Sequence, residues 1–68
     1  MTRLKIQRKL RGLSQADLGP LVGTHPANIS AIERGTRPAW PALRRRIAHF
    51  FGIAGVDLFD EHGFAREV

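Results

Sequence analysis

Large apolar residues recur along this chain at helical spacing, and no stretch shows the strict alternation of a half-buried strand. Residues 2–11 read as a first helix. Leu4 and Arg8 lie one turn apart on one face, and Ile6 and Leu10 lie one turn apart on a nearly opposite face. Thr2 suits the N-cap and Gly12 suits the C-terminal stop. Ser14 opens a second helix, with Asp17 three residues later in a capping-box position. Leu18 and Val22 turn inward there, and Gly23 ends the helix. Gly19 and Pro20 fall inside it. Pro20 cannot donate to the Ala16 carbonyl, which predicts a kinked or loosened turn in a helix that persists because Leu18 and Val22 still need burial.

The stretch "GTHPANISAIERG", residues 23–35, reads as a third short helix. Thr24 or His25 caps it; with His25 as the cap, Pro26 takes the first helical position, where its missing N–H costs nothing. Gly35 is the stop. "TRPAWP" is an extended connection, because residues before proline avoid the α region. Trp40 within it is expected in the core or as a lid. A fourth helix over roughly 40–51 carries the stripe Leu43, Ile47, Phe50 and Phe51, and "GVDLF" forms a short fifth with Val56, Leu58 and Phe59. Residues 61–68 are a tail that frays or docks. The expected fold class is all-α: one compact five-helix domain over 1–68, its core within about 2–60.

The third helix has a bare outer side. At about 100° per residue, Ile29, Ile32 and Glu33 share the core face. Ala27, Ala31 and Arg34 point the opposite way, Asn28 and Ser30 lie on the flanks, and Pro26 sits nearer the start. Such a face, small and polar with one positive charge, can enter a DNA major groove. Asn28 can make a bidentate contact with adenine N6/N7. The two alanines either touch thymine methyls or are simply good helix formers on an exposed face.

Charge sharpens this picture. The net charge is +5, but residues 1–46 carry +8 and residues 47–68 carry −3. A basic front and an acidic rear fit a polyanion-facing surface opposed to one that is not. The run "LRRRIAH" spreads its arginines around its helix, so it reads mainly as a solvated face, with Arg44 nearest any DNA. There is no cysteine, hence no disulfide or thiolate metal site. His25, His49 and His62 are too scattered for a metal site. The chain shows no nucleophile–base set, carboxylate pair or phosphate-cradling loop, and 68 residues leave little room for a substrate pocket. Neither an enzyme nor a cofactor is expected. The first residues are charged without an apolar run, so no signal peptide is read. "IAHFFGIAGVDLF" is too short and broken to span a bilayer. The expected location is the cytoplasm, at the nucleoid when bound to DNA.

Taken together, "GLSQADL", Gly23, "IS-x-IERG", Pro38 and "LRRRIAHFFGI", with an arginine four residues before Gly12, resemble the helix-turn-helix domain of the phage repressor and Cro family, the XRE group. The resemblance runs from about Leu4 to Leu58. It departs from the family at position 19, usually Ala, at position 20, usually polar, and at position 25, usually Ser or Thr. The resemblance implies a lambda-repressor-like five-helix bundle whose recognition helix is about 25–34. It implies base contacts near Pro26, Ala27, Asn28, Ser30 and Ala31. It implies phosphate contacts from Gln15 at the start of the second helix and from His25, Arg34, Thr36, Arg37 and Arg44. Arg8 and Glu33, both on core-facing sides, match the family's structural ion pair.

Family members usually bind palindromic sites as homodimers, through a surface around the end of the fourth helix and the fifth. The candidates here are Phe51, Ile53, Val56, Phe59 and Phe64, with Ile6 and Leu10 in addition; the alternative is that the tail packs onto Ile6 and Leu10. Three functions follow: a stand-alone repressor or regulator, an antitoxin-like DNA binder gripping a protein partner, and an interaction module that has lost DNA binding. Gln15, the basic front and the smooth outer face argue against the third.

Overall fold

The computed structural model describes residues 1–68. Five helices follow in order: α1 Arg3–Leu10, α2 Gln15–Leu21, α3 Pro26–Arg34, α4 Pro41–Phe51 and α5 Gly55–Leu58. No helix is long and apolar enough to cross a membrane. Each start is set by local chemistry. Thr2 Oγ1 accepts from the Lys5 N–H at 3.1 Å. Ser14 and Asp17 form a reciprocal capping box, with both bonds 2.9 Å. His25, not Thr24, caps α3, its Nδ1 accepting from the Ala27 N–H at 3.1 Å. Proline takes the first position of both α3 and α4.

α2 runs on through Pro20 to Leu21. The lost bond to Ala16 costs little this close to the end, because the following N–H groups still pair: Val22 with the Leu18 carbonyl at 3.2 Å, and Gly23 with that of Pro20 at 3.1 Å. Gly19 has a positive role. A Cβ there would lie 2.8 Å from the Thr24 carbonyl oxygen and 2.9 Å from the Pro26 nitrogen. The absent side chain is what lets the start of α3 lie directly on α2.

The core takes one face from every helix. Leu4, Leu18, Val22, Ile29, Ile32, Leu43, Ile47, Phe51 and Leu58 are all buried. Phe50 packs edge-on against Phe51 with ring centroids 5.0 Å apart, an arrangement aromatic pairs favour. Ala39 from the α3–α4 connection joins this core, whereas Trp40 is 42 % exposed. Trp40 therefore lies outside the core, and its smaller neighbour Ala39 is the buried residue of this connection.

Residues 59–68 dock instead of fraying. Phe59 and Ala65 bridge antiparallel, with a turn between them at Gly63 (φ +90). The Ala39 N–H donates to the Gly63 carbonyl at 2.9 Å, and the Arg3 N–H donates to that of Arg66 at 2.9 Å. The segment thus ties the α3–α4 connection to the start of α1, and the core extends past residue 60 to Ala65. Leu10 remains exposed, so the segment meets the N-terminal end of α1 and leaves its far end open.

Candidate nucleic-acid interface

α2 and α3 form one rigid unit, and their interior junction is a polar network. Arg8 reaches from α1 with Nε donating to Glu33 Oε2 at 2.7 Å and Nη2 donating to Oε1 at 2.9 Å. Its Nη1 donates to the Leu13 carbonyl at 2.8 Å. Gln15 Nε2 donates to the same Glu33 Oε1 at 3.0 Å. Both members of the ion pair are buried, and the hydrogen bond to Glu33 raises the Arg8 pKa further above its ordinary value. Every buried polar side-chain atom finds a partner. Gln15, named from sequence as a phosphate contact, is thus also anchored inwards, from the N-terminus of α2.

The outer side of α3 carries Pro26, Ala27, Asn28 and Ser30, none of them buried. Ile29, Ile32 and Glu33 face inward as the helical projection requires. Ala31 departs from it. Only 7 % exposed, it has no methyl surface to offer a base, and the base contact expected of it is withdrawn. The cause lies beyond the helix. Gly35 takes the left-handed conformation (φ 77), and the chain folds back so that the Thr36 N–H and hydroxyl donate to the Ala31 carbonyl at 3.1 and 3.2 Å. Thr36 closes the helix end there, and its hydroxyl proton is already engaged.

The polar groups of this face bond to one another. Asn28 Nδ2 donates to Thr24 Oγ1 at 2.9 Å, and Arg37 Nη1 donates to Asn28 Oδ1 at 2.7 Å. Arg34 Nη1 donates to the Ser30 hydroxyl one turn away. His25 offers its remaining ring edge to solvent once Nδ1 is used in the cap.

Arg44 does not join them. Its Nη1 donates to the Ala39 carbonyl at 2.7 Å, and its guanidinium lies against Gly63. It borders a cleft of about 510 Å³ with Arg45, Val56, Asp60 and Glu61. The structure therefore turns Arg44 towards the docked C-terminal segment, which sequence could not anticipate while that segment was read as a loose tail. Arg46 stays exposed, as a solvated face requires, but it also has a partner. Its Nε donates to the Val22 carbonyl at 2.7 Å, closing the end of α2. Arg11 does the same for α4, donating to the Phe51 carbonyl at 2.9 Å from a position over the Phe51 ring. Two arginines of the basic front, Arg11 and Arg46, thus satisfy carbonyls at helix ends.

Of the residues expected at a dimer surface, Phe51 (4 % exposed) and Phe59 (2 %) belong to the chain's own core. A side chain buried this completely has no area to give a partner, so both are removed from that set. Ile53 and Phe64 are half-buried, and Val56 stands out at 73 % exposed. No group of three or more histidine, cysteine or carboxylate side chains is placed to hold a metal.

A helix with a small, polar outer face, packed on a second helix that opens with an anchored glutamine, defines a class: the helix-turn-helix proteins. The helix-turn-helix family model matches residues 4–58, so the chain belongs to this family, in its Cro/C1 or XRE branch of DNA-binding transcription regulators. It is also 39 % identical over 57 residues, 84 % of this chain and 86 % of the relative, to an uncharacterized HTH-type transcriptional regulator of Methanocaldococcus jannaschii. No solved structure gives a significant match.

Proposed function

We propose that the protein is a repressor that binds a palindromic operator as a homodimer, with α3 in the major groove of each half-site. The observation that carries this reading is the outer face of α3. Ala27 is exposed and Pro26, Asn28 and Ser30 are only partly covered, while Arg34, Arg37 and His25 frame them. Small side chains admit the backbone of α3 close to the base edges, and Asn28 reads one of them. Gln15 and the N–H groups at the start of α2 take a phosphate on one side; Arg34 and Arg37 take phosphates on the other. With few side chains able to reach bases, DNA shape carries part of the specificity.

Dimerisation in this reading uses the surface around Ile53, Val56 and Phe64, because a single α3 spans too few base pairs for a unique site. The protein acts in the cytoplasm, at the nucleoid when bound. Selection of bound sequences from random duplex DNA tests all of this together. Inverted half-sites about 10 base pairs apart, centre to centre, support it. A single half-site would refute the dimer, and no enrichment would refute DNA reading altogether.

A further inference from the structure

Asn28 does not stand alone on α3. Its Nδ2 is held by Thr24 Oγ1 at 2.9 Å and its Oδ1 by Arg37 Nη1 at 2.7 Å. A guanidinium only donates, so the end of the amide that meets Arg37 has to be the oxygen. The pair of contacts therefore fixes which way the amide is turned. Had it flipped, an NH₂ group would face a guanidinium, donor against donor.

The count of what remains is specific. A primary amide carries two N–H donors and two acceptor sites. Thr24 occupies one donor and Arg37 one acceptor site, which leaves one of each. Adenine presents an acceptor at N7 and a donor at N6 in the major groove, the complement of that remainder. Guanine presents two acceptors, N7 and O6, and needs two donors. An asparagine whose amide is free to turn must lose that freedom on binding; here the loss has already occurred in the free protein.

We propose, on the basis of the DNA-binding reading above, that Thr24 and Arg37 are positioning residues that lock Asn28 in the orientation that selects adenine. The reader is then three residues from three places: the α2–α3 turn, α3 itself and the loop that follows it. The other N–H groups of Arg37 stay available to a phosphate, so Arg37 serves both affinity and base choice, whereas Thr24 serves base choice alone.

The test measures affinity of the full chain and of T24V, R37M, R37K and N28A for the best selected duplex and for the same duplex with each base pair exchanged in turn. The wild type should prefer adenine at one position per half-site by about tenfold. N28A should abolish that preference. T24V and R37M should each cut it severalfold at that position only, and R37K, which keeps one donor and the charge, should restore most of it. R37M should also lower the slope of log affinity against log salt by about one phosphate contact, and T24V should leave the slope unchanged. Arg37 is exposed and Thr24 only partly buried, with its hydroxyl bonded to Asn28, so thermal melts should stay close to wild type, and each variant tests the idea independently. The proposal is overturned if T24V and R37M weaken all duplexes uniformly and keep the adenine preference, or if the wild type binds duplex without one. Failure of the wild type to bind any duplex is a different result: it removes the DNA-binding reading and this proposal with it.

Discussion

Arg8 shows what one side chain decides in so small a protein. It binds both oxygens of Glu33 and the Leu13 carbonyl from a buried position. Removing it leaves a buried carboxylate with Gln15 as its remaining partner, at a cost of about 3–5 kcal/mol. Stabilities near 0.1 kcal/mol per residue make that a large share of the total for a chain of 68 residues. Arg8→Ala should therefore remove about half or more of the stability and lower the melting temperature steeply, read by thermal melting followed by circular dichroism. The double variant Arg8→Met, Glu33→Leu should recover most of the loss, since a well-packed apolar pair carries no desolvation penalty. A melt unchanged by Arg8→Ala would refute the structural role. Spacing put both residues on core-facing sides of their helices, and the family resemblance joined them as a pair, which the structure contains. Ala31 was misplaced by the same projection. An alanine offers no chemical hint of its surroundings, and the covering loop is set by Gly35 and Thr36 beyond the helix.

α2 is the element in which local chemistry is most plainly written. The Ser14 backbone N–H and side chain hold the Asp17 carboxyl below the ordinary value of 3.8. A carboxylate with a lowered native pKa adds stability above its unfolded value, and that contribution is lost as pH falls through the native one. Acidification below 3.8 should thus erode the start of α2. Asp17→Asn should flatten this acid limb when melting temperature is followed against pH; an equally steep limb in the variant would assign it to other groups. Gly19 makes the opposite kind of statement. Alanine is the better helix former by about 1 kcal/mol, yet its Cβ would press on backbone atoms of Thr24 and Pro26 at 2.8 and 2.9 Å. Gly19→Ala should lower the urea midpoint and weaken DNA binding as α3 is pushed off α2. Composition makes Gly19 and Pro20 look like faults in a helix. Only the distance to α3 shows that one of them is required.

At the scale of the whole molecule the C-terminal segment and the arginines change the account. Residues 59–67 fold back to hold Ala39, Thr2 and Arg3 in place. Gly63 turns at φ +90, and a Cβ there would stand 2.6 Å from the Ala39 carbonyl oxygen. Gly63→Ala should therefore destabilise the domain by more than about 1 kcal/mol, measured by chemical denaturation. Phe59→Ala, which on sequence alone would test dimerisation, would instead open a cavity in the core at about 3–5 kcal/mol. The informative variant for self-association is Val56→Asp, placed on an exposed side chain. If the proposed dimer forms, sedimentation at micromolar concentration should show the wild type dimeric and this variant monomeric, with the melting temperature of the monomer unchanged. Net charge at this scale also misleads if taken as surface. Arg3, Arg8, Arg11, Arg44 and Arg46 each donate to a backbone carbonyl, so the +8 of residues 1–46 is partly structural cement and only partly a field for DNA.

The sequence by itself determined the five helices, the caps Thr2 and Ser14 and the inward positions of Ile29, Ile32 and Glu33 on α3, because each depends on interactions within a few residues or on one helical period; the helix-turn-helix class was legible through the resemblance of its motifs. Tertiary structure alone decided that Ala31, Phe51 and Phe59 are covered, that Arg44 turns to the C-terminal segment, and that Thr24 and Arg37 close on Asn28. Those outcomes depend on which distant segments share a volume. A period of 3.6 residues fixes the direction a side chain leaves its own helix, and carries nothing about what folds back to meet it.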